Sequence, residues 1–267
     1  MGIFNKVSST AFSSIQTNAG MLLKTFNPAT PTAPADADII CMTTGGINPS
    51  CVAEYADFGE DIDNVPSNTK ELKRVTGWTC QISTTAYDTT PELIKLALGA
   101  ADVDLTTSKI TPRRELKNSD FADIWWIGER IDGGWVAIRL INALSTGGFS
   151  IQSSKDNKGT IPLTITGHVS IHDQDTMPME FYVSEGGSVS LNKHTETITG
   201  TSTKTLTATV KPTGATVTWT SSNTSVATVS SGTVTGVSAG TTVITASVTV
   251  NGVTASDSCT VTVSAGA

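Results

Sequence analysis

Two histidines near the end of a β-like segment are the residues best suited to metal chemistry. His168 and His172 are followed by Asp173 and Asp175. On an extended strand the two histidines share a face, but their Cα atoms are about 13 Å apart. That separation is too large for one zinc ion whose ligand bonds are about 2 Å long. The spacing therefore favours a solvated strand end over a metal site, and we expect no cofactor.

A group of carboxylates could supply acid–base chemistry. Asp57, Glu60, Asp61 and Asp63 lie in the stretch 57–71, which has neither strand nor helix periodicity. Carboxylate pairs catalyse such reactions where their surroundings separate the two pKa values, and no neighbour here does so. The nucleophile-elbow, zinc-protease, Walker and dinucleotide-binding motifs are also absent from the sequence. We therefore expect a protein that is not an enzyme.

The four cysteines, Cys41, Cys51, Cys80 and Cys259, show no CxxC spacing. The first twenty residues lack the apolar core of a signal peptide, so we expect the chain to be made in the cytoplasm. In a reducing compartment the cysteines are expected to be free, mostly buried thiols. A Cys41–Cys51 disulfide is the less favoured alternative.

Three tryptophans, Trp125, Trp126 and Trp135, could stack on a carbohydrate. Aromatic residues within strands more often belong to a core or a subunit interface. We favour the core or interface.

Charge and length indicate two domains of different character. The 267 residues carry a net charge of −7, which argues against a protein that grips nucleic acid. Residues 186–267 hold only three lysines and two acids, so the charge lies almost entirely before the Gly186-Gly187 pair. We predict domains 1–185 and 186–267, with the glycine pair as the hinge.

The first domain is predicted to be mainly β with one helix. Thr90 is a suitable N-cap, Pro91 a first helical residue and Gly99 a helix stop, which predicts a helix over about 91–98. Residues 1–37 are predicted to be a flexible arm and 57–71 a long acidic loop. Alternation or hairpin signals predict strands at 38–44, around Trp78–Ile82, at 124–127, at 135–144 and at 160–171.

The second domain shows short alternating strands separated by turn residues. One strand is predicted over Lys204–Val210, and others over Ile244–Val250 and Cys259–Val263, with Trp219 in the core. Asn251-Gly252 is a strong hairpin signal. The series WTSSN, VATVS, VTGVSAGT and ITA within residues 219–246 resembles the bacterial immunoglobulin-like domain, group 2. That resemblance implies a non-enzymatic β-sandwich of the kind found in adhesins, surface proteins and phage structural proteins.

The order of features in the whole chain resembles the major tail tube proteins of long, non-contractile-tailed, lambda-like bacteriophages. The features are the acidic loop Asp57–Asp63, the Gly77-Trp78 strand, the helix 91–98, the Gly134-Trp135-Val136 strand and the strand 160–169. The expected fold class is therefore mainly β, a tail-tube β-sandwich with one packed α-helix followed by an immunoglobulin-like β-sandwich.

The resemblance implies a structural virion protein. Six subunits would form a ring, and stacked rings would form a tube through which DNA is ejected. Its partners would be further copies of the chain, the tape-measure protein, the tail terminator and the tail-tip proteins, with DNA only in transit. The chain would assemble in the host cytoplasm and reside in the virion tail, with its C-terminal domain outside and available for weak contacts to host surface glycans.

Acidic residues are the candidates for the channel lining or the subunit interface, because carboxylates repel passing phosphates. The alternative is that they only solubilise an exposed surface. The leading functional alternatives are a cell-surface adhesin and the tube subunit of a contractile injection machine. The candidates are Asp57, Glu60, Asp61, Asp63, Asp120, Asp123, Glu129 and Asp132.

Overall fold

The computed structural model describes residues 14–266. The protein is mainly β, with 53% strand and 7% helix, which confirms the predicted fold class. It divides into two compact units. The first unit contains residues 14–18, Glu129–Trp135 and the chain from Val183 onward; the second contains Ala19–Gly128 and Val136–Tyr182. The first thirteen residues of the predicted arm 1–37 lie outside the described residues.

Between residues 14 and 185 the chain forms ten strands and one α-helix. The strands are β1 (Met21–Leu23), β2 (Thr43–Asp57), β3 (Lys73–Ala86), β4 (Ala101–Asp104), β5 (Lys109–Pro112), β6 (Ala122–Glu129), β7 (Trp135–Ser145), β8 (Gln152–Ser154), β9 (Asn157–Thr166) and β10 (Met179–Ser184). The helix is α1 (Pro91–Leu98), and short 3-10 helices occupy Asp36–Asp38, Lys70–Leu72 and Asn118–Asp120. The main sheet has the order β1-β6-β7-β9-β3-β2, with β10 beside β7 and β8 beside β9, while β4 pairs with β5.

The core of the second unit follows from strand alternation. On β9, Ile161, Leu163 and Ile165 are all buried, and they lie opposite Ala86, Thr84 and Ile82 of β3. Because side chains alternate between faces, each strand contributes every second residue to the core. The predicted alternation on β3 and β9 is therefore confirmed, although β9 ends at Thr166 rather than near Ile171.

The helix α1 begins and ends where its capping residues predict. The backbone N–H of Leu93 donates to Thr90 Oγ1 at 3.3 Å, and Pro91 occupies the first turn. Gly99 has a φ of 73°, which a glycine adopts without steric cost, so the helix stops there. Leu93 and Ala97 are buried against the sheet, as a short helix requires for stability. Among the described residues no helix is long and apolar enough to cross a membrane.

Two further predictions for the second unit are wrong, the strand over 38–44 and the uniformly flexible arm 1–37. Of the strand predicted over 38–44, Asp38 ends a 3-10 helix, residues 39–42 lie outside any named strand, and β2 begins only at Thr43 and runs for 15 residues. Gly45 and Gly46 form a bulge inside β2 with φ values of 72° and 91°. Within the predicted flexible arm, Met21–Leu23 forms β1, because Leu22 and Leu23 are fully buried.

The chain from Ser188 onward forms nine strands in small sheets. They are β11 (Ser188–Leu191), β12 (Thr195–Thr199), β13 (Thr203–Thr205), β14 (Ala208–Lys211), β15 (Thr218–Ser221), β16 (Ala227–Ser230), β17 (Thr233–Gly236), β18 (Gly240–Val250) and β19 (Val253–Ser264). The sheet orders are β11-β14, β12-β19-β18-β15 and β13-β17-β16.

The core of this sandwich contains the predicted residues. Ile244 and Ala246 on β18 and Cys259 and Val261 on β19 are fully buried, and Trp219 packs against them half-buried. The strand predicted over Lys204–Val210 is instead two strands that pair with different partners, β13 with β17 and β14 with β11. The chain changes sheets at the buried Leu206, which an alternating pattern alone does not reveal.

A glycine is required at position 186 because the backbone of Asp132 lies very close to it, and not because the chain must be flexible there. A Cβ at Gly186 would come within 1.9 Å of the Asp132 carbonyl oxygen, and both residues belong to the first unit. Only glycine fits such an approach without a backbone shift. The hinge at Gly186-Gly187 stays a prediction.

Candidate functional site

The hairpin formed by β2 and β3 extends beyond the sheet. β9 pairs with β3 only from Gln81 to Ala86, and the last backbone contact on that side is the Gly167 N–H donating to the Cys80 carbonyl at 3.0 Å. Residues 73–79 of β3 pair with β2 alone. We call residues 52–79 the arm. It is a two-stranded ribbon, a structure that is marginally stable by itself in water.

One face of the arm continues the apolar face of the core. Cross-strand partners lie on the same face, and β2 alternates without interruption from Cys51 to Asp57. The buried Cys80 level is therefore followed outward by Ala53 with Trp78, and then by Tyr55 with Val75. The exposed fractions are 41% for Trp78, 61% for Tyr55 and 51% for Val75. We call Ala53, Tyr55, Val75 and Trp78 the arm face.

The opposite face of the arm is mainly polar, with Val52 and Ala56 as its apolar side chains. Thr79 Oγ1 donates to Glu54 Oε1 at 2.7 Å, and Arg74 lies on this face as well. This face carries Glu54, Thr79 and Arg74, whereas the arm face carries large apolar side chains. A strand pair with one buried and one solvated side shows the same difference. The arm thus has the pattern of a covered ribbon, although nothing in the described part of the chain covers it.

The arm tip is a closed turn that carries most of the predicted loop acids. Asp57 accepts hydrogen bonds from the Gly59 N–H at 3.0 Å and the Asn68 N–H at 3.1 Å, so its carboxylate holds the turn together. Glu60, Asp61 and Asp63 are exposed. Phe58 and Ile62, with exposed fractions of 63% and 50%, add apolar surface to this acidic tip.

A disulfide joins the two strands at the base of the arm. Cys51 and Cys80 are direct cross-strand partners and are bonded to each other. The prediction of free thiols is therefore wrong for this pair and correct for Cys41 and Cys259, and the Cys41–Cys51 alternative is also wrong. A hairpin that turns within the predicted loop 57–71 brings residues 51 and 80 close together. This position of the loop between the two cysteines is the feature of the sequence that could have indicated the bond.

The predicted acids of the second unit outside the arm are held in ion pairs. Asp120 accepts from Arg113 at 2.6 Å with its side chain 1% exposed, while Asp102, 58% exposed, contacts the same Arg113 at 2.9 Å. The Arg113 hydrogen bond holds the pKa of Asp120 below its usual value. Asp123 pairs with Arg139 at 2.6 Å. These carboxylates are therefore balanced by cations.

The two acidic candidates in the first unit also have partners. Glu129 accepts from Asn18 Nδ2 at 3.1 Å, and Asp132 accepts from Arg130 at 2.8 Å and from the Gly134 N–H at 2.9 Å. The structure thus brings four of the eight candidates together at the arm tip and leaves the other four in local pairs. That some of them line a channel stays a prediction.

The tryptophan pair in β6 belongs to the interior. Trp125 and Trp126 are 7% and 4% exposed, and Trp126 Nε1 donates to the Ala19 carbonyl at 3.1 Å. The Arg139 guanidinium lies 5.8 Å from the Trp125 ring centre, and Tyr182 packs against the same ring. The core interpretation is therefore confirmed for both residues, since neither ring presents a free face to a sugar.

A cleft of about 1530 Å³ lies beside α1, between Leu93, Ile124 and Trp125. Cys41 lines it, and burial together with the Asp88 carboxylate raises the pKa of its thiol to about 12. At neutral pH this thiol is therefore protonated and a poor nucleophile.

His168 and His172, at the end of the predicted strand, have different surroundings. His168 contacts the Asn142 carbonyl through Nδ1 at 3.1 Å, while His172 lies in the following turn. Within residues 14–266 no group of three or more His, Cys, Asp or Glu side chains has a metal-binding arrangement.

Comparison with known proteins identifies one part of the chain. Residues 187–263 match the bacterial Ig-like domain (group 2). A search of curated proteins found no match. The match covers β11 to β18 and nearly all of β19, and it agrees with the β-sandwich described above for this segment.

Proposed function

We propose that the chain is a structural subunit that assembles with copies of itself into stacked hexameric rings, forming the tail tube of a bacteriophage. The observation that carries this proposal is the arm face, an apolar ribbon surface that extends beyond its own sheet. Trp78, Tyr55 and Val75 expose between 41% and 61% of their surface in the isolated chain. Contiguous exposed apolar surface of this kind is typical of protein–protein contacts.

The open edge of β2 supports the same proposal. β2 is 15 residues long, and among the described strands it pairs with β3 alone. A long unpaired edge is a template for joining another strand, and proteins that keep one usually cover it or close the sheet into a barrel. Ring assembly would close the sheet between subunits, and so it would satisfy the edge and the arm face together.

The acidic balance of the chain fits a conduit for DNA. A net charge of −7 disfavours the cation–phosphate contacts that would hold DNA in a channel. Within residues 14–266, three exposed carboxylates at the arm tip, Glu60, Asp61 and Asp63, form no ion pair and are available to face such a channel. The proposed role is non-enzymatic, with the tape-measure, terminator and tail-tip proteins as further partners, assembly in the host cytoplasm and final residence in the virion.

Self-association of the purified chain tests this proposal. In sedimentation velocity over a concentration series, we expect the 27.8 kDa species to give way to hexamers and larger stacks. The physical reason is that association removes apolar surface from water. A single monomer boundary at all concentrations would argue against a self-assembling subunit.

The Ig-like match favours a second candidate, an adhesion module. Its surface strands present mainly Thr and Ser, with only three Lys and two acids between residues 186 and 267. Such a surface suits weak contacts that many copies strengthen through avidity. If this is its role, the chain could also act as a cell-surface adhesin.

Removing residues 186–267 separates the two candidates. For adhesion we expect assembled particles of the truncated chain to bind cells at least about tenfold more weakly, because each lost contact is multiplied along the assembly. Binding is measured by cell pull-down, with circular dichroism of the truncated chain as the folding control. Unchanged binding would mean that the domain only decorates the particle.

A further inference from the structure

We propose that the Cys51–Cys80 pair is a reversible thiol–disulfide exchange site that controls whether the arm is held in register. The pair lies at the one level where the arm leaves the sheet, since Cys80 makes the last backbone hydrogen bond to the neighbouring segment through Gly167. Outward of this level, within residues 14–266, the two strands pair only with each other. A cross-link here acts on the whole arm.

The arm needs such a constraint because its own pairing is weak. A two-stranded ribbon is marginally stable in water. Its ladder is also interrupted by an additional residue on β3, Thr76, between the pairs Glu54–Gly77 and Tyr55–Val75. The disulfide closes a loop with a sequence separation of 29, so it removes many open conformations of residues 52–79. Reduction restores those conformations and allows the strands to separate or slip.

The two sulfurs differ in accessibility, which defines the course of the exchange. Cys51 is half-buried and Cys80 is fully buried. A small thiolate attacks the Cys51 sulfur, the S–S bond breaks and Cys80 leaves as a thiolate that takes a proton from water. A second small thiolate then attacks the mixed disulfide at the small-molecule sulfur. It releases the Cys51 thiolate and a small-molecule disulfide, so two electrons pass to the protein. A small-molecule disulfide drives the reverse reaction.

The other two cysteines do not compete for this chemistry. Cys41 and Cys259 are free and buried. Burial raises the pKa of both thiols, with the Asp88 carboxylate contributing at Cys41 and the Glu196 carboxylate at Cys259. Their thiolate fractions at neutral pH are therefore low, and exchange is confined to the arm pair.

Hydrogen exchange on the full chain tests the inference. Oxidised protein, confirmed by mass to contain one disulfide, is compared with protein treated with dithiothreitol. We expect amides of residues 52–57 and 73–79 to exchange at least about tenfold faster after reduction, while those of β18 and β19 are unchanged. Oxidised glutathione should restore slow exchange. The Cys51→Ala variant should exchange like the reduced protein under both conditions, and Cys259→Ala should respond like the wild type.

Three results would overturn the inference. They are arm exchange that does not change after verified reduction, a disulfide that dithiothreitol does not reduce, and a reduced pair that oxidised glutathione does not re-oxidise. The effect on assembly rests on the proposed function, and the exchange measurement does not. If the arm responds to reduction but the chain never assembles, the proposed tube function is contradicted and the redox inference stands. If the chain assembles but the arm does not respond to reduction, the redox inference is contradicted and the proposed tube function stands.

Discussion

The Trp78→Glu variant is expected to fold normally and to lose ring assembly. Trp78 is 41% exposed in the isolated chain, so a carboxylate there can stay in water. In an assembled contact the same carboxylate would be desolvated without a partner, which costs several kcal/mol (about 3 to 5). Tryptophan is also a frequent binding hot spot. We expect the association constant in sedimentation experiments to fall by at least about 100-fold.

A matched control distinguishes the arm face from exposed apolar surface in general. Ile171 lies outside the arm and is 80% exposed. Ile171→Glu adds the same charge and should assemble like the wild type, whereas Tyr55→Glu, on the arm face, should fail like Trp78→Glu. Equal loss of assembly in the Ile171 variant, or normal assembly in both arm variants, would remove the arm face from the interface.

The Asp120→Asn variant is expected to give the second large effect, a loss of stability. The Asp120 side chain is 1% exposed and bonds to Arg113 at 2.6 Å, so the substitution leaves a poorly solvated guanidinium with a weaker partner. We expect the calorimetric transition of the second unit to fall by at least about 4 °C at pH 7. Asp102→Asn is the control, because Asp102 contacts the same Arg113 but is 58% exposed. It should change the transition by about 1 °C or less.

The pH dependence of the Asp120 effect has a defined sign. The pKa of Asp120 is lowered in the folded chain below its ordinary value of 3.8, mainly through the Arg113 hydrogen bond. A lowered folded pKa contributes stability above the unfolded pKa, and that stability is lost as pH falls through the folded value. The difference between wild type and Asp120→Asn should therefore be full at neutral pH and shrink below about pH 4. A difference that grows on acidification would contradict the assigned pairing.

Strand alternation and capping residues predict much of the fold because they are local signals. Ile161, Leu163 and Ile165 alternate with polar residues, and Thr90, Pro91 and Gly99 mark the ends of one helix. The start of β2 could not be predicted in this way. Gly45, Gly46 and Pro49 are residues that usually interrupt strands. They are tolerated because β2 lies at the edge of the sheet. A bulge at the two glycines and the absent N–H of Pro49 therefore do not disrupt pairing to a further strand on the outer side.

The candidate site was less predictable because it depends on pairing between distant segments. Charge alone identified the acids around Asp61, but the arm face exists because β9 stops pairing with β3 at Gln81, and no local pattern encodes that limit. The Cys51–Cys80 bond likewise depends on the register of β2 against β3. The Arg113–Asp120 pair joins residues in irregular structure, where periodicity gives no information.

Negative-stain electron microscopy of the concentrated, oxidised 267-residue chain is the decisive test of hexameric ring assembly. We expect rings of six subunits with a central hole, or tubes of stacked rings, and neither in the Trp78→Glu protein. Monomeric particles of the wild-type chain at every concentration, or rings that persist unchanged in Trp78→Glu, would contradict this expectation.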